Sequence, residues 1–171
     1  MLVGYAAAHQ HPFNIAVHLI GIPIIMLGVM IPLTWFSFGV DLEEFSFRVS
    51  LAHVALLVFF FFYLTLDVVF AFVFLIFGFG LVLLAGLLGG LPQPTASIIA
   101  ASAFFGGYLA QFVGHIVEKS MPVLLRHPIQ ANVAAPFFTI VEIFHITGLR
   151  KDLFDEVKSQ IEVRRSEEAS A

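Results

Sequence analysis

Polar residues that can do chemistry form two groups in an otherwise apolar chain. The first group lies within the segment YAAAHQHPFNIAVHLIGIP and comprises Tyr5, His9, His11, Asn14 and His18. A helix that begins near Pro12, a favoured first-turn residue, places Asn14 and His18 four residues apart on one face. Polar side chains inside a bilayer are costly and usually face a bundle interior or a functional cavity. Each member of the group is therefore a candidate site residue.

The second group forms a stripe within GGYLAQFVGHIVE. It comprises Gly107, Gln111, Gly114, His115 and Glu118. At about 3.6 residues per turn, these five positions fall on one narrow face of a helix. Glycines let another backbone approach closely, while the glutamine, histidine and glutamate project beside it. We expect this face to pack against protein, because such a stripe is unsuited to lipid.

The residue types predict a metal site. His9, His18 and His115 are the candidate metal ligands, and Glu118 is a candidate catalytic carboxylate. Imidazole and carboxylate ligands suit non-haem iron, but zinc accepts imidazole as well, so the ligand types leave the metal open. Cysteine is absent, which excludes thiolate nucleophiles and cysteine-based metal sites. The sequence also lacks the glycine-rich fingerprint of a nicotinamide site and the elbow motif of a serine hydrolase.

Further polar residues have a weaker claim to the site. Asp67 is a lone acid in apolar sequence, either a buried hydrogen-bonding partner in the site or the tip of a short turn. Glu142 and His145 are three residues apart and form either a support for the site or an ordinary polar pair. His53 is expected to be structural. The residues that can contact substrate or orient the ligands are Asn14, Gln111, His11, Asp67, Glu142 and His145.

The composition predicts that membrane helices position these residues. The chain has 171 residues, of which 60% are hydrophobic and only 12% charged, and its mean hydropathy is +0.99. A spanning helix needs about 20 apolar residues, and four stretches are candidates: 15–38, 51–66, 68–91 and 95–117. Only Asp67 and its neighbours separate the second from the third, so one long kinked helix with a short return is an alternative for these two. These stretches lack the alternating polarity of barrel strands. We therefore predict an all-α polytopic membrane bundle of about four transmembrane helices, with interfacial or re-entrant helices at 121–149, where three prolines interrupt the sequence.

The charge distribution predicts the topology. Seven of the eight basic residues follow the fourth predicted span, so the positive-inside rule places both termini in the cytoplasm. The membrane is a bacterial inner membrane, or the endoplasmic reticulum in a eukaryote. Residues 1–149 are predicted to form one membrane-embedded catalytic domain, and residues 150–171 a polar cytoplasmic tail that is helical and then disordered. No basic groove indicates a nucleic-acid partner, and self-association into a homo-oligomer is left open.

Two segments resemble the membrane-bound 2-hydroxy fatty acid dioxygenases of fungi and their bacterial relatives. The first is the pattern His9-x-x-Pro12-x-Asn14-x-x-x-His18-x-x-Gly21-x-Pro23. The second is Gln111-Phe-Val-Gly-His115, followed by Glu118-Lys119 and Pro122. Together with an Ala-Pro-Phe-Phe138 segment and Glu142, the resemblance extends over about residues 5–150.

The resemblance implies an Fe(II)-dependent enzyme of fatty-acid α-oxidation. Such an enzyme converts a 2-hydroxy fatty acid and O₂ into a fatty acid one carbon shorter and CO₂, in contact with membrane lipid. Carried over by position, His9, His18 and His115 are the metal-site residues, while Glu118 either binds the metal or orients a histidine. The cleavage releases the four electrons that reduce O₂, so no nucleotide is needed.

The residues alone leave other functions open. A small membrane transporter or channel with a path lined by histidine and glutamate predicts a continuous file of polar residues across the bilayer. The enzyme predicts one cluster near the cytoplasmic face. A structural subunit, whose polar residues hydrogen-bond helices together, and a zinc-dependent lipid hydrolase are two further readings.

Overall fold

A computed structural model of the protein describes residues 11–42, 45–119, 121–126, 128–152, 155–156, 159–160 and 162–163. Its elements in chain order are α1 (Pro12–Trp35), β1 (Ser37–Leu42), β2 (Phe45–Ser50), α2 (Leu51–Leu64), α3 (Val68–Gly89), α4 (Thr95–Glu118), α5 (Val123–Arg126) and α6 (Pro128–Thr147). The prediction of an all-α membrane bundle is confirmed. The addition is an antiparallel hairpin of β1 and β2, which pairs Ser37 with Ser50 and Leu42 with Phe45 in the region expected to be a loop.

Within the described part of the chain, four helices are long and apolar enough to cross a membrane: α1, α3, α4 and α6. The number of long helices agrees with the prediction, but one of the four is not a predicted span: α6 takes the place of the span predicted at 51–66. Helix α2 has 14 residues, fewer than the predicted span at 51–66 and than the roughly 20 that a crossing requires. It ends early because the chain turns at Thr65, whose N–H donates to the carbonyl of Phe62.

Helix α6 occupies most of the segment 121–149. The prediction that prolines divide this segment into interfacial or re-entrant helices is therefore wrong for most of it. Pro128 is the first residue of α6, where a missing N–H leaves no helical bond unmade. Pro136 lies buried inside the helix without ending it. Proline is tolerated inside apolar helices where neighbouring groups satisfy the freed backbone carbonyl. Only α5, a helix of four residues, is separate from α6.

Two hydrogen bonds fix the relative directions of the long helices. The N–H of His11, just before α1, donates to Glu118 Oε1 at the end of α4, at 2.9 Å. The indole Nε1 of Trp35 donates to the carbonyl of Gly89 at 3.1 Å, which joins the ends of α1 and α3. Helices α1 and α4 are therefore antiparallel. We call the end of the bundle with His11 and Glu118 the histidine end, and the opposite end, with β1 and β2, the hairpin end.

Helices α1 and α4 pack with their backbones in contact along a line of small residues, here called the α1–α4 seam. A β carbon at Gly28 would lie 2.6 Å from the nitrogen of Phe104 and 2.9 Å from the oxygen of Ala100. A β carbon at Gly107 would lie 3.2 Å from the oxygen of Gly21. The glycine stripe predicted on α4 thus packs against α1.

Helix α6 packs across the histidine end of α2 and α3. The Tyr63 hydroxyl, near the end of α2, donates to the carbonyl of Val133 at 2.7 Å. The ring of Phe70, in the first turn of α3, lies 5.7 Å from that of Phe137 and 5.0 Å from that of Phe144. Tyr63 and Phe70 therefore contact α6 over about three turns, from Val133 to Phe144.

The chain after α6 is tied to the turn between α2 and α3. Arg150 Nη1 lies 2.6 Å from Asp67 Oδ2, and its guanidinium lies over the ring of Phe70. Burial raises the pKa of Asp67, but the hydrogen bond and charge of Arg150, with the backbone N–H of Phe70, outweigh it and hold that pKa below its ordinary value. The described residues from 151 to 163 are helical and exposed, and the domain boundary at 149 stays a prediction.

Candidate functional site

The start of α1 and the end of α4 are joined through one carboxylate. Glu118 accepts the His11 backbone N–H on one oxygen and the Asn14 side-chain amide on the other. His11 Nδ1 accepts the N–H of Phe13 and so caps α1. Asn14 is fully buried against Gly114, where a β carbon would overlap its side-chain oxygen. With both oxygens engaged, Glu118 holds α1 in register with α4.

One turn further into the bundle, His18 and His115 meet edge to face. Their ring centroids are 5.0 Å apart with an interplanar angle of 85°, and both side chains are buried. His18 Nδ1 lies 2.9 Å from the carbonyl oxygen of Asn14. Because a carbonyl only accepts hydrogen bonds, Nδ1 carries a proton, which in the neutral imidazole leaves the lone pair on Nε2. That tautomer is the one in which a histidine binds metal through Nε2.

A small cavity lies beside these two imidazoles, and five of its ten lining residues carry polar side chains. It measures about 40 Å³, enough for a few water-sized groups. Gln111, one turn before His115, also lines it, and its Nε2 is buried without a hydrogen-bond partner among the described residues. A buried amide left unpaired costs free energy. Its position favours a polar ligand as the missing acceptor.

A much larger apolar cavity adjoins the small one. It measures about 360 Å³, within the range of small-molecule sites. The two cavities share four lining residues, which we call the junction: Tyr108, Gln111, Asn132 and Ala135. Beyond the junction the walls are apolar, from Ile22 to Leu33 on α1 and including Phe59 and Phe104. The arrangement therefore suits a ligand with a small polar head and a long apolar tail.

Two polar junction residues were not among the sequence candidates. The Tyr108 hydroxyl donates to Asn132 Oδ1, and Asn132 Nδ2 donates to the carbonyl of Pro128 at 2.9 Å. Tyr108 is three residues before Gln111, so the helical periodicity of the second polar group could have revealed it. Asn132 joins the site only because α6 packs back against α4, which no local pattern indicates.

Two of the described side chains could serve as metal ligands. Among them, no three histidine, cysteine, aspartate or glutamate side chains converge closely enough to hold a metal ion. His18 and His115 are two imidazoles at one cavity and fit a metal as two of its ligands. His9, the third predicted ligand, and Tyr5 lie outside the described residues.

The other candidates lie elsewhere in the bundle. Asp67 caps α3 by accepting the N–H of Phe70 and pairs with Arg150. Buried Glu142 lies 3.1 Å from His145, and neither lines either of these cavities. His53 caps α2 through Ser50 at the hairpin end. None of these four side chains is brought to the junction.

Comparison with known proteins adds one match. A family model described as 2-hydroxy-palmitic acid dioxygenase Mpo1-like matches residues 1–146. Neither a curated protein nor a solved structure matches the chain. The match includes both polar groups, the junction and all of the long helices except the last residue of α6, so it extends over the whole site described above.

Proposed function

Because the chain belongs to the 2-hydroxy-palmitic acid dioxygenase Mpo1-like family, we propose that it is an Fe(II)-dependent dioxygenase of fatty-acid α-oxidation. It converts a 2-hydroxy fatty acid and O₂ into CO₂, water and a fatty acid one carbon shorter. The observation that carries the proposal is the pair of adjoining cavities: a small one, half of whose lining residues are polar, beside His18 and His115, and a large apolar one. This layout matches the polarity of a 2-hydroxy fatty acid.

The junction binds the polar head of the substrate. The unpaired Nε2 of Gln111 donates to the substrate's carboxylate or hydroxyl, a bond that is stronger to an ionised acceptor. Tyr108 and Asn132, already bonded to each other, form a fixed wall beside it. The acyl chain fills the apolar cavity and excludes water from the polar one, so that carbons 1 and 2 are held at the histidines.

His18 and His115 would hold the iron, with His9 as the third ligand that the family pattern implies. Bound iron supplies the redox chemistry that lets O₂ react with an organic acid. The protein fixes the ring of His18 through the Asn14 carbonyl. Glu118 fixes Asn14 in turn, so the carboxylate acts as a positioning residue.

The reaction balances without a co-substrate. The bond between carbons 1 and 2 breaks, carbon 1 leaves as CO₂, and carbon 2 becomes the carboxyl carbon of the shorter acid. This oxidation releases four electrons, and one O₂ accepts all of them, ending as one oxygen atom in the acid and one in water. The chain therefore needs no nucleotide or keto-acid site.

The location of the polar residues supports an enzyme over a transporter. Asn14, His18, Gln111, His115 and Glu118 all lie toward the histidine end. From these residues toward the hairpin end, the α1–α4 seam continues through glycine and apolar side chains, including Gly28 and Ile25. A transport path would require polar residues to continue to the hairpin end.

The test is a stoichiometric assay of the purified, Fe(II)-loaded protein with 2-hydroxyhexadecanoic acid. We expect one CO₂ and one chain-shortened acid for each O₂ consumed, without any added co-substrate. Gln111→Leu should raise KM more than it lowers kcat, since it removes a head-group contact and leaves the histidines in place. O₂ uptake without chain shortening would refute the proposal.

A further inference from the structure

The apolar cavity extends along α1 over a length that can be compared with the acyl chain of the substrate. Its walls on α1 run from Ile22, one turn beyond His18, to Leu33, near the hairpin end. At 1.5 Å per residue this length is about 16 Å. The polar residues are all at one end, so a bound chain has its head at the junction and its methyl end toward Leu33.

Helix α2 forms part of the wall at the far end of the cavity. Ala55, in the second turn of α2, lines the cavity at the hairpin end, as Leu33 does from α1. Both side chains are half-buried. Ala55 leaves space there because it has only a methyl group, whereas a larger side chain at the same position would project into the last part of the cavity.

The middle of the cavity is suited to adapt to the chain. Met26 and Met30 line it between the junction and the far end. Methionine is unbranched and flexible, so it fills gaps of varying shape at little cost. The middle therefore tolerates differences among acyl chains, and any upper limit on length must come from the residues at the far end.

We infer that Ala55 and Leu33 set the maximum acyl-chain length of the substrate. This inference rests on the proposed function, because it takes the occupant of the apolar cavity to be the acyl chain whose head lies at the junction. Each methylene that no longer fits loses the free energy of its burial, which corresponds to about a fourfold loss of affinity. A side chain that removes space for several methylenes shifts the preferred length sharply.

The test compares Ala55→Phe, the milder Ala55→Leu, Leu33→Ala and a control, Val58→Phe. Val58 is on the same helix, is 62% exposed and does not line the cavity. Two profiles are measured for each variant: kcat/KM for 2-hydroxy acids of increasing length, and displacement of a fluorescent fatty acid by plain saturated acids, which lack the 2-hydroxyl.

We expect both Ala55 variants to lose long acids preferentially, by about fourfold per excluded methylene, and Leu33→Ala to accept longer ones. Val58→Phe should retain the original profile. If Ala55→Leu, folded as judged by its unfolding midpoint, retains the original binding profile, the inference is wrong. If the binding profile shifts as expected but no variant or parent turns over 2-hydroxy acids, the inference stands and the proposed function fails.

Discussion

Gly28→Ala tests whether the α1–α4 seam holds the site together. The new β carbon would lie 2.6 Å from the nitrogen of Phe104 and 2.9 Å from the oxygen of Ala100. Favourable contacts between non-bonded atoms are near 3.5–4.0 Å, so the two helices must separate by about 1 Å. Backbone atoms cannot rotate away as a flexible side chain can, and overpacking of this kind costs about 1–3 kcal/mol.

Gly106→Ala is the matched control. A β carbon at Gly106 meets nothing within 4 Å, so alanine there should leave stability unchanged or raise it by up to about 1 kcal/mol through helix propensity. Unfolding in mixed micelles, followed by circular dichroism and by the fluorescence of Trp35, compares the two variants. Turnover of Gly28→Ala should fall by up to about 100-fold, because His18 and His115 are on the separated helices. Equal stability of the two variants would refute backbone contact at the seam.

Three further perturbations test individual contacts. Glu118→Gln places an amide donor against the donors of His11 and Asn14. We therefore expect the free energy of unfolding to fall by about 1–3 kcal/mol, and turnover to slow with iron retained. Elemental analysis that finds no iron would show direct coordination instead. The pKa of Asp67 in the folded protein is below its ordinary value of 3.8, so the pairing with Arg150 stabilises the fold at pH values above 3.8. That stabilisation is lost as the pH falls through the lower folded pKa. Arg150→Met should flatten this pH dependence of stability, by less than about 1 kcal/mol, and an unchanged acid titration would contradict the pairing. Tyr63→Phe removes the bond to Val133 and should lower the free energy of unfolding by about 0.5–1.5 kcal/mol; an unchanged midpoint would contradict the docking of α6.

Much of the bundle was predictable because the length and composition of an apolar helix can be recognised in the sequence. The stripe from Gly107 to Glu118 predicted the face of α4 that packs against protein, since helical periodicity alone places those residues together. The start of α1 at Pro12 followed from the same local rules. These features depend on residues within one helix, which is why a single sequence sufficed.

What could not be predicted depends on tertiary packing. The continuity of α6 through Pro136 was missed, because proline disfavours helices in isolation and the bundle around it overrides that preference. Helix α2 was counted as a span on its apolar composition; it begins at Leu51 as predicted but ends at Leu64, two residues before the predicted stretch, and is too short to cross a membrane. Asn132 entered the junction only through the path of α6 across the bundle. The pairing of Asp67 with Arg150 likewise joins residues 83 positions apart.

In the proposed enzyme, His18 and His115 hold an iron that the reaction requires. The most direct measurement is the metal content of protein purified anaerobically in detergent and reloaded with Fe(II), for the parent, His18→Ala, His115→Ala and the control His53→Ala, whose histidine caps α2 at the hairpin end. We predict about one iron per chain in the parent and in His53→Ala, and its loss in the other two variants. Iron retained at the parent's level in both His18→Ala and His115→Ala, or no iron in the reloaded parent, would contradict the account.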